Sequence, residues 1–175
     1  MVAKSNKYQA KYVYWNTEKQ VVMHPIDVEI YRCHGRLKLP QKVIRFDSQH
    51  EFKVYLELTK MYGTENVSRQ YPIQIIKPCR CYPNGKDWKV DFAICSTNSP
   101  NYYDYLVEAK GVVTSEFINT LVLLEQNNHI AFESLEIVFP RSIPTDNKVI
   151  RNLLKYWSVG FIITLDELKQ LKTLP

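Results

Sequence analysis

The chain has 175 residues, of which 45% are apolar and 13% aromatic, so it has enough apolar surface for one sizeable core and too little for two. Its net charge is +5, and the first 100 residues hold 16 Lys and Arg against 9 Asp and Glu, whereas the remainder holds 7 against 9. The first residues contain no apolar stretch typical of a secretory signal, no apolar run is as long as a membrane span, and four cysteines are too few for a disulfide scaffold. Composition thus argues against membrane-spanning and disulfide-rich classes, and we expect a soluble, cytoplasmic protein with a basic N-terminal half suited to a polyanion.

The N-terminal residues are expected to be rich in β-structure. Two apolar stretches, residues 7–15 and 20–25, flank the polar segment NTEK and are typical of a β-hairpin. Residues 28–32 are expected to add a short strand, and a basic stretch follows at residues 36–45.

A helix is predicted next. Its apolar residues recur at the spacing of one helical face and stop at Gly63, a residue type that often ends helices. Ser48 is the expected N-cap. The apolar residues of this face are Phe52, Tyr55, Leu56, Leu58 and Met61.

The remaining residues alternate between strand and helix patterns. Strands are predicted at residues 71–77 and 88–94, joined by a turn at Asn84-Gly85, and at residues 103–109. The order of helix, three-strand meander, helix and strand predicts an α/β domain with a mixed sheet covered by helices. The later elements are a helix at 114–128 capped by Thr114, a strand at 135–140, a helix at 145–157, a strand at 160–164 and a helix at 165–172 capped by Thr164.

Three charged residues occupy strand positions where burial is expected. Asp91 lies within the second strand of the meander, and Glu108 and Lys110 close the third. Because side chains alternate along a strand, Glu108 and Lys110 share a side, and Asp91 is expected to converge with them at one sheet edge. Buried carboxylates are costly unless they hold a cation, so the pattern favours a Mg²⁺ site with a lysine beside it. This is the chemistry of metal-dependent phosphodiester hydrolysis.

The Glu-x-Lys spacing is a weak signal when taken alone. It occurs three times, beginning at Glu51, Glu108 and Glu167. Only the second stands at a strand end, next to a strand with an acid among apolar residues. The other two fall in predicted helices, where the spacing is typical of solvent-exposed charge.

These segments resemble a known family. The residues VDF (90–92) and YLVEAKG (105–111) are similar to the core motif of the PD-(D/E)xK nuclease superfamily. Residues 45–58 are similar to the acidic helix of its small phage-type and transposon-type endonucleases. The resemblance implies a restriction-endonuclease-like mixed sheet, flanked by helices, in a single domain. We expect a catalytic core at residues 47–140, an N-terminal extension with a β-hairpin at residues 1–46, and a helix-strand-helix tail at residues 141–175.

The resemblance also implies a role for each residue of the site. Asp91, Glu108 and the main-chain carbonyl of Ala109 would bind Mg²⁺, for which Mn²⁺ is an expected substitute. Lys110 would orient or activate the attacking water. Glu51, on the preceding helix, would be a further acidic catalytic residue and a candidate metal ligand.

Two alternatives to this site remain open in the sequence. Ser48 and Glu51 have the spacing of a capping box, in which the glutamate bonds the backbone at the helix start and has no catalytic role. Cys79 and Cys81, with Cys33 and His34, suggest zinc, but Cys-x-Cys is not the usual Cys-x-x-Cys spacing and zinc is the weaker interpretation.

DNA is the expected partner, held mainly through its phosphates. The expected activity is that of a metal-dependent DNA endonuclease, encoded by a phage or mobile element, that cleaves transposon ends or processes branched DNA. Such an enzyme is expected to work as a homodimer or with other subunits of a phage or transposon complex. The alternative is a catalytically silent nuclease-fold protein that binds DNA or a protein partner. The candidate DNA-contacting residues are Arg36, Lys38, Lys42, Arg45, Arg80, Lys86 and Lys89.

Overall fold

The computed structural model describes residues 12–33, 36–95, 103–156 and 162–171. The chain divides into two compact units, Met1–Lys53 and Val54–Pro175, with the boundary inside a helix. The division into extension, core and tail that the sequence suggests stays a prediction. No helix in these four described ranges is long and apolar enough to cross a membrane.

The N-terminal unit contains short strands and a short helix. These are β1 (Val13–Asn16), β2 (Val21–Val22), α1 (Pro25–Glu29), β3 (Arg32–Cys33), β4 (Arg36–Leu37) and β5 (Val43–Phe46). An antiparallel sheet has the order β2-β1-β5, and β3 pairs with β4. The pairing of β1 with β2 confirms the predicted β-hairpin near its turn, whereas residues 7–11 of the first predicted strand lie outside the described residues. Phe52 packs against the rings of Trp15 and Phe46, at centroid distances of 5.1 and 5.2 Å.

Two local predictions in this unit need correction. The strand expected at residues 28–32 is wrong for most of its length, because α1 occupies that stretch up to Glu29. His24 caps α1 by accepting the Ile26 N–H on Nδ1 at 3.3 Å, and Pro25 lacks the N–H that a helix start leaves unpaired. β5 was not predicted, because its sequence has the basic composition of the surrounding stretch and becomes a strand through its pairing with β1.

The helix that crosses the unit boundary, α2 (Gln49–Tyr62), follows its prediction. Ser48 caps it: the Oγ atom accepts the Glu51 N–H at 3.0 Å. The helix ends at Gly63, whose φ of 85° lies in the left-handed region that glycine adopts without strain. A β-carbon at Gly63 would also lie 2.5 Å from the Glu65 carboxylate.

The C-terminal unit is built on a five-stranded mixed sheet in the order β10-β9-β8-β7-β6. β6, β7 and β8 form an antiparallel meander, and β9 and β10 add in parallel. The elements are β6 (Val67–Ile76), β7 (Lys86–Ile94), β8 (Tyr105–Ala109), α3 (Ser115–Asn127), α4 (His129–Glu133), β9 (Leu135–Phe139), α5 (Lys148–Tyr156), β10 (Ile162–Thr164) and α6 (Leu165–Gln170). The α/β class with a mixed sheet is therefore confirmed.

The turn and cap residues predicted from the sequence have those roles in the structure. Gly85 adopts a φ of 74° in the turn between β6 and β7. Thr114 caps α3, and Thr164 and Glu167 form a full capping box on α6. α4 was not predicted, because it is a single short helix that Asn128 caps directly after α3.

Helices cover both faces of the sheet. On one face α3 buries Phe117, Leu121 and Leu124 in a core with residues such as Leu106. Adjacent strand residues point to opposite faces, so Val107 and its cross-strand partner Phe92 lie on the other face, where Tyr55 of α2 stacks on Phe92 at 6.1 Å. The tail extends the sheet through β10, and Ile150 anchors α5 in the α3 core.

Candidate metal and DNA site

The predicted site lies where the β7–β8 ladder stops. The last cross-strand pair is Phe92 with Val107, and the next positions in the same register are Asp91 and Glu108. On its other edge β8 continues to pair with β9, and the Lys110 N–H donates to the Val138 carbonyl at 2.9 Å. Asp91 and Glu108 therefore lie where β7 and β8 stop exchanging backbone hydrogen bonds.

Side chains replace the ladder at this point. The Ala109 N–H donates to Asp91 Oδ2 at 3.0 Å, and the Asp91 N–H donates to Glu108 Oε2 at a longer 3.4 Å. Each carboxylate thus accepts a backbone N–H from the opposite strand. Hydrogen bonds of this kind stabilise the ionised carboxylate and fix its orientation.

Lys110 completes the predicted trio. Its Nζ donates to Glu108 Oε1 at 3.2 Å, and the Glu108 side chain is only 8% exposed against 21% for Lys110. The same Nζ lies 4.1 Å from the centroid of the Phe117 ring, within the range of a cation–π interaction. The structure therefore brings Asp91, Glu108 and Lys110 together, as the strand order predicts.

Gln70 joins the site and was missed by sequence reasoning. Its side-chain Nε2 donates to Asp91 Oδ1 at 3.3 Å from the neighbouring strand β6. A glutamine on an exposed strand position carries no signal of its own. The observation that singles it out is structural, a φ of 51° in the middle of a strand.

Glu51 lies in the N-terminal unit, on the first turn of α2. Its backbone N–H donates to Ser48 Oγ at 3.0 Å, and its carboxylate accepts the Asp47 N–H on Oε2 at 2.7 Å. This is a capping arrangement in which the glutamate reaches one residue further back than in a standard capping box. The Ser48 cap is therefore confirmed, with the Glu51 carboxylate bonded to the backbone of Asp47, and the metal-binding role of Glu51 stays a prediction.

The donor set of the trio suits a hard divalent cation. Mg²⁺ commonly takes one or two protein carboxylates and completes its octahedron with waters and substrate phosphates. Asp91 and Glu108 supply two such carboxylates from adjacent strands. No group of three or more His, Cys, Asp or Glu residues is placed to hold a metal ion in the portions of chain that the structure describes.

The cysteine alternative can be followed only in part. Cys79 and Cys81 are exposed free thiols in the turn region before β7. His34, which neighbours Cys33 in the sequence, lies outside the described residues, and so does the side chain of Cys33.

The predicted DNA-contacting residues fall into the two units. In the N-terminal unit Lys42 pairs with Glu18 at 2.6 Å, and Arg45 pairs with Asp47 at 3.1 Å. Ion pairs of this exposed kind contribute little to stability and exchange readily for a phosphate. Five further predicted residues are exposed, namely Arg36 and Lys38 in the N-terminal unit and Arg80, Lys86 and Lys89 in the C-terminal unit.

A second basic surface, on α5, was not predicted. Ile150 is fully buried, and Lys148 and Arg151 are exposed. Lys155 is also exposed, one helical turn beyond Arg151. The helix therefore directs three cations outward, and we call these three residues the α5 basic face.

A cleft of about 460 Å³ lies between the end of the β8 strand and the start of α5. Arg141 is an exposed cation on its wall. Gly111, which directly follows Lys110, is another lining residue, and a β-carbon there would meet nothing within 4 Å. Other lining residues are Val113, Phe139, Pro144 and Asn147.

Glu136 is an ionisable group that no motif of the sequence singles out. It lies on β9 opposite Val107, which places it on the α2 face of the sheet. Burial raises the pKa of its carboxyl from 4.5 to about 7. Burial also raises the pKa of Tyr62, and the charge of Glu136 adds to that effect.

Comparison of the chain with protein-family models, with curated proteins and with solved structures finds no match in any of the three.

Proposed function

We propose that the protein is a metal-dependent DNA endonuclease that hydrolyses phosphodiester bonds. One observation carries the proposal: the Asp91 and Glu108 carboxylates each accept a backbone N–H from the other's strand, and Lys110 bonds to Glu108. Two oriented carboxylates and an ammonium form a functional set suited to phosphodiester hydrolysis with a divalent cation.

The order of elements supports the same proposal. α2, the meander of β6, β7 and β8, then α3 and β9 follow one another as in the core of the PD-(D/E)xK superfamily. β8 and β9 are parallel and α3 connects them, so the end of β8 opens toward solvent at the edge where ligands of α/β sheets commonly bind. A restriction-endonuclease-like fold is therefore part of what we propose.

Each residue would have a separate task. Asp91, Glu108 and the Ala109 carbonyl would hold Mg²⁺ or Mn²⁺, with Glu51 as a further acidic candidate. A bound ion would act as a Lewis acid on the scissile phosphate and lower the pKa of a coordinated water. Lys110 would donate a hydrogen bond to the attacking water and keep its charge beside the phosphate. Glu108 and the Phe117 ring hold the Lys110 ammonium between them.

DNA would approach along the basic surfaces. The cleft is lined by Gly111, which follows Lys110, and by Arg141, so a DNA strand lying in it would meet the Arg141 cation. Lys86 and Lys89 lie on β7, the strand that also carries Asp91. Transposon ends and branched DNA are the proposed substrates, and a homodimer or a phage or transposon complex is the proposed assembly.

The direct test is a cleavage assay on duplex, nicked, branched and single-stranded DNA with Mg²⁺ or Mn²⁺. We expect cleavage by the wild type and at least a hundredfold less by Asp91→Asn, Glu108→Gln and Lys110→Ala. Asp87→Asn is a matched control, since Asp87 lies on the same strand and is exposed. If the wild type cuts none of the substrates, or if the site variants cut as well as Asp87→Asn, the proposal is wrong.

Metal binding separates this proposal from its alternative, a silent nuclease-fold protein. We expect Mn²⁺ to bind by calorimetry and to raise the unfolding temperature, on the order of 5–10 °C at a hundredfold excess over its dissociation constant. Asp91→Asn should abolish both effects. An equal thermal shift in wild type and Asp91→Asn would favour the silent protein.

A further inference from the structure

Gln70 adopts a backbone conformation that its residue type rarely takes. It lies inside β6 with a φ of 51°, in the left-handed region. Among the residues in the described ranges, Gln20 is the other non-glycine with a positive φ, and it lies in the turn between β1 and β2. Such a conformation is unfavourable for a side chain with a β-carbon, and it persists in strand interiors only where the surroundings hold it.

Gln70 lies where both β6 and β7 have a fault, meaning an interruption in the alternation of side chains between the two faces of the sheet. Arg69 and its partner Phe92 lie on the α2 face, since Phe92 stacks on Tyr55 and the charge of Arg69 lowers the Tyr55 pKa against the larger effect of burial. Tyr71 and its partner Val90 instead pack in the α3 core.

Residues two apart in a regular strand share a face, so both strands reverse their alternation between these pairs. The residues at the reversal are Gln70 and Asp91, and the regular cross-strand pairing of β6 with β7 omits them.

This fault positions Asp91. At this reversal the Asp91 N–H donates to Glu108 Oε2, and the Asp91 carboxylate accepts the Ala109 N–H of β8. The Gln70 amide holds the other carboxylate oxygen, Oδ1, at 3.3 Å. Asp91 is therefore held from β6 and from β8, with both oxygens oriented.

We propose that Gln70 is a positioning residue for the metal site, with its left-handed backbone and its amide together setting the orientation of the Asp91 carboxylate. This inference rests on the proposed function as far as the metal is concerned. The orientation of Asp91 is a property of the metal-free protein and is measured without it. Groups that hold a ligating carboxylate in this way typically change metal affinity by about ten- to a hundredfold when removed.

The chain contains a matched control. Gln74 lies four residues along the same strand, is exposed, and pairs with Asp87 of β7, just before a register shift between Gln74 and Ile76. It repeats the combination of glutamine and aspartate without the positive φ. If the loss of any exposed glutamine from β6 weakened metal binding, Gln74→Ala would therefore weaken it as well.

The experiment compares Gln70→Gly, Gln70→Ala and Gln74→Ala with the wild type. Glycine adopts a φ of 51° without strain, so Gln70→Gly is compatible with the same backbone conformation and removes the side chain with its amide. We expect its unfolding temperature in EDTA to stay within a few degrees of the wild type. In the same metal-free protein we expect the Ala109 amide to exchange its hydrogen at least tenfold faster, while the Lys110 amide, bonded to Val138, keeps its rate.

Calorimetry with Mn²⁺ alone gives the second measurement. We expect Gln70→Gly and Gln70→Ala to bind about tenfold more weakly or worse, and Gln74→Ala to bind as the wild type does. Unchanged exchange at Ala109 in Gln70→Gly, or Mn²⁺ binding within twofold of the wild type, would overturn the positioning role. Absence of Mn²⁺ binding in the wild type, with faster Ala109 exchange in Gln70→Gly, would instead defeat the proposed function and leave the orientation of Asp91 by Gln70 established.

Discussion

Lys110 Nζ lies 4.1 Å above the centre of the Phe117 ring and 3.2 Å from Glu108 Oε1. Phe117 belongs to the first turn of α3 and is 3% exposed, so the ring serves the core and the charged site at the same time. The N-cap bond of the helix, from the Phe117 N–H to Thr114 Oγ1 at 3.2 Å, fixes where that ring stands. The start of α3 therefore sets the position of the lysine that closes β8.

Replacing Phe117 by leucine tests this relationship. Phe117→Leu keeps an apolar core residue but removes the ring face, and we expect a loss of about 1–3 kcal/mol in unfolding free energy. We also expect cleavage to fall at least about tenfold, because Lys110 loses one of the two groups that orient it. The matched control is Phe132→Leu, in the same core and 6% exposed, which should lose similar stability and keep its cleavage rate. Equal cleavage by both variants would contradict the role of the ring.

Variants at the start of α2 distinguish the two roles suggested for Glu51, helix cap and metal-site residue. Ser48→Ala removes the oxygen that accepts the Glu51 N–H and should cost about 1 kcal/mol with cleavage retained. Glu51→Gln keeps an oxygen for the Asp47 N–H, so its unfolding free energy should change by less than about 0.5 kcal/mol. Under the proposed role its cleavage rate and Mn²⁺ affinity should both fall at least about tenfold. Wild-type cleavage in Glu51→Gln would leave the residue a helix cap alone.

Glu136 is expected to make stability fall as pH rises. Its pKa is about 7 in the folded protein against 4.5 ordinarily, so the folded state holds the proton more tightly than the unfolded chain. Stability from this group is fully present below about pH 4.5, declines between pH 4.5 and 7, and is lost above that window. Since one pKa unit corresponds to about 1.4 kcal/mol, a rise from 4.5 to about 7 makes the full decline on the order of 3–4 kcal/mol.

Urea unfolding at pH 5 and pH 8 measures this effect. Glu136→Gln should flatten the dependence and be the more stable protein at pH 8, because its amide carries no charge to bury. Glu125→Gln, an exposed substitution on α3, should keep the wild-type dependence. An unchanged slope in Glu136→Gln would show that other groups cause it.

The basic surfaces should contribute to DNA affinity in a salt-dependent way. Each phosphate contact makes the slope of log affinity against log salt more negative by about 0.9, so a double variant that removes two contacts should make the slope shallower by roughly 1.8. We expect this for Lys148→Ala with Arg151→Ala on the α5 basic face, and for Lys86→Ala with Lys89→Ala on β7. Binding to duplex DNA is measured in EDTA over a salt series.

Lys169→Ala is the control for this series. Lys169 is exposed and pairs with Asp166 on α6, so its removal should leave the slope unchanged. A slope equal to the wild type in both double variants would remove these surfaces from the DNA-binding face.

Local signals in the sequence predicted most of the elements and the composition of the site. Ser48, Thr114 and Thr164 start helices because their hydroxyls satisfy backbone N–H groups within a few residues. Gly63 and Gly85 end an element and turn a hairpin, since each has a positive φ. The approach of Asp91 to Glu108 and Lys110 follows from strand order and alternation, which are also readable along the chain.

Features that depend on distant neighbours were decided only by the tertiary structure. β5 forms because β1 pairs with it, and Glu136 becomes a weak acid because the packing on the α2 face excludes water from its carboxyl. Gln70 is an ordinary polar residue for an exposed strand position. In the folded sheet, however, the side-chain alternation of β6 and β7 reverses at Gln70, and its amide lies beside Asp91. The sequence by itself determined which groups meet at the end of β8, because short-range chemistry governs caps, turns and alternation. The orientation of those groups depended on the assembled sheet, because a fault in strand alternation is imposed by contacts far apart along the chain.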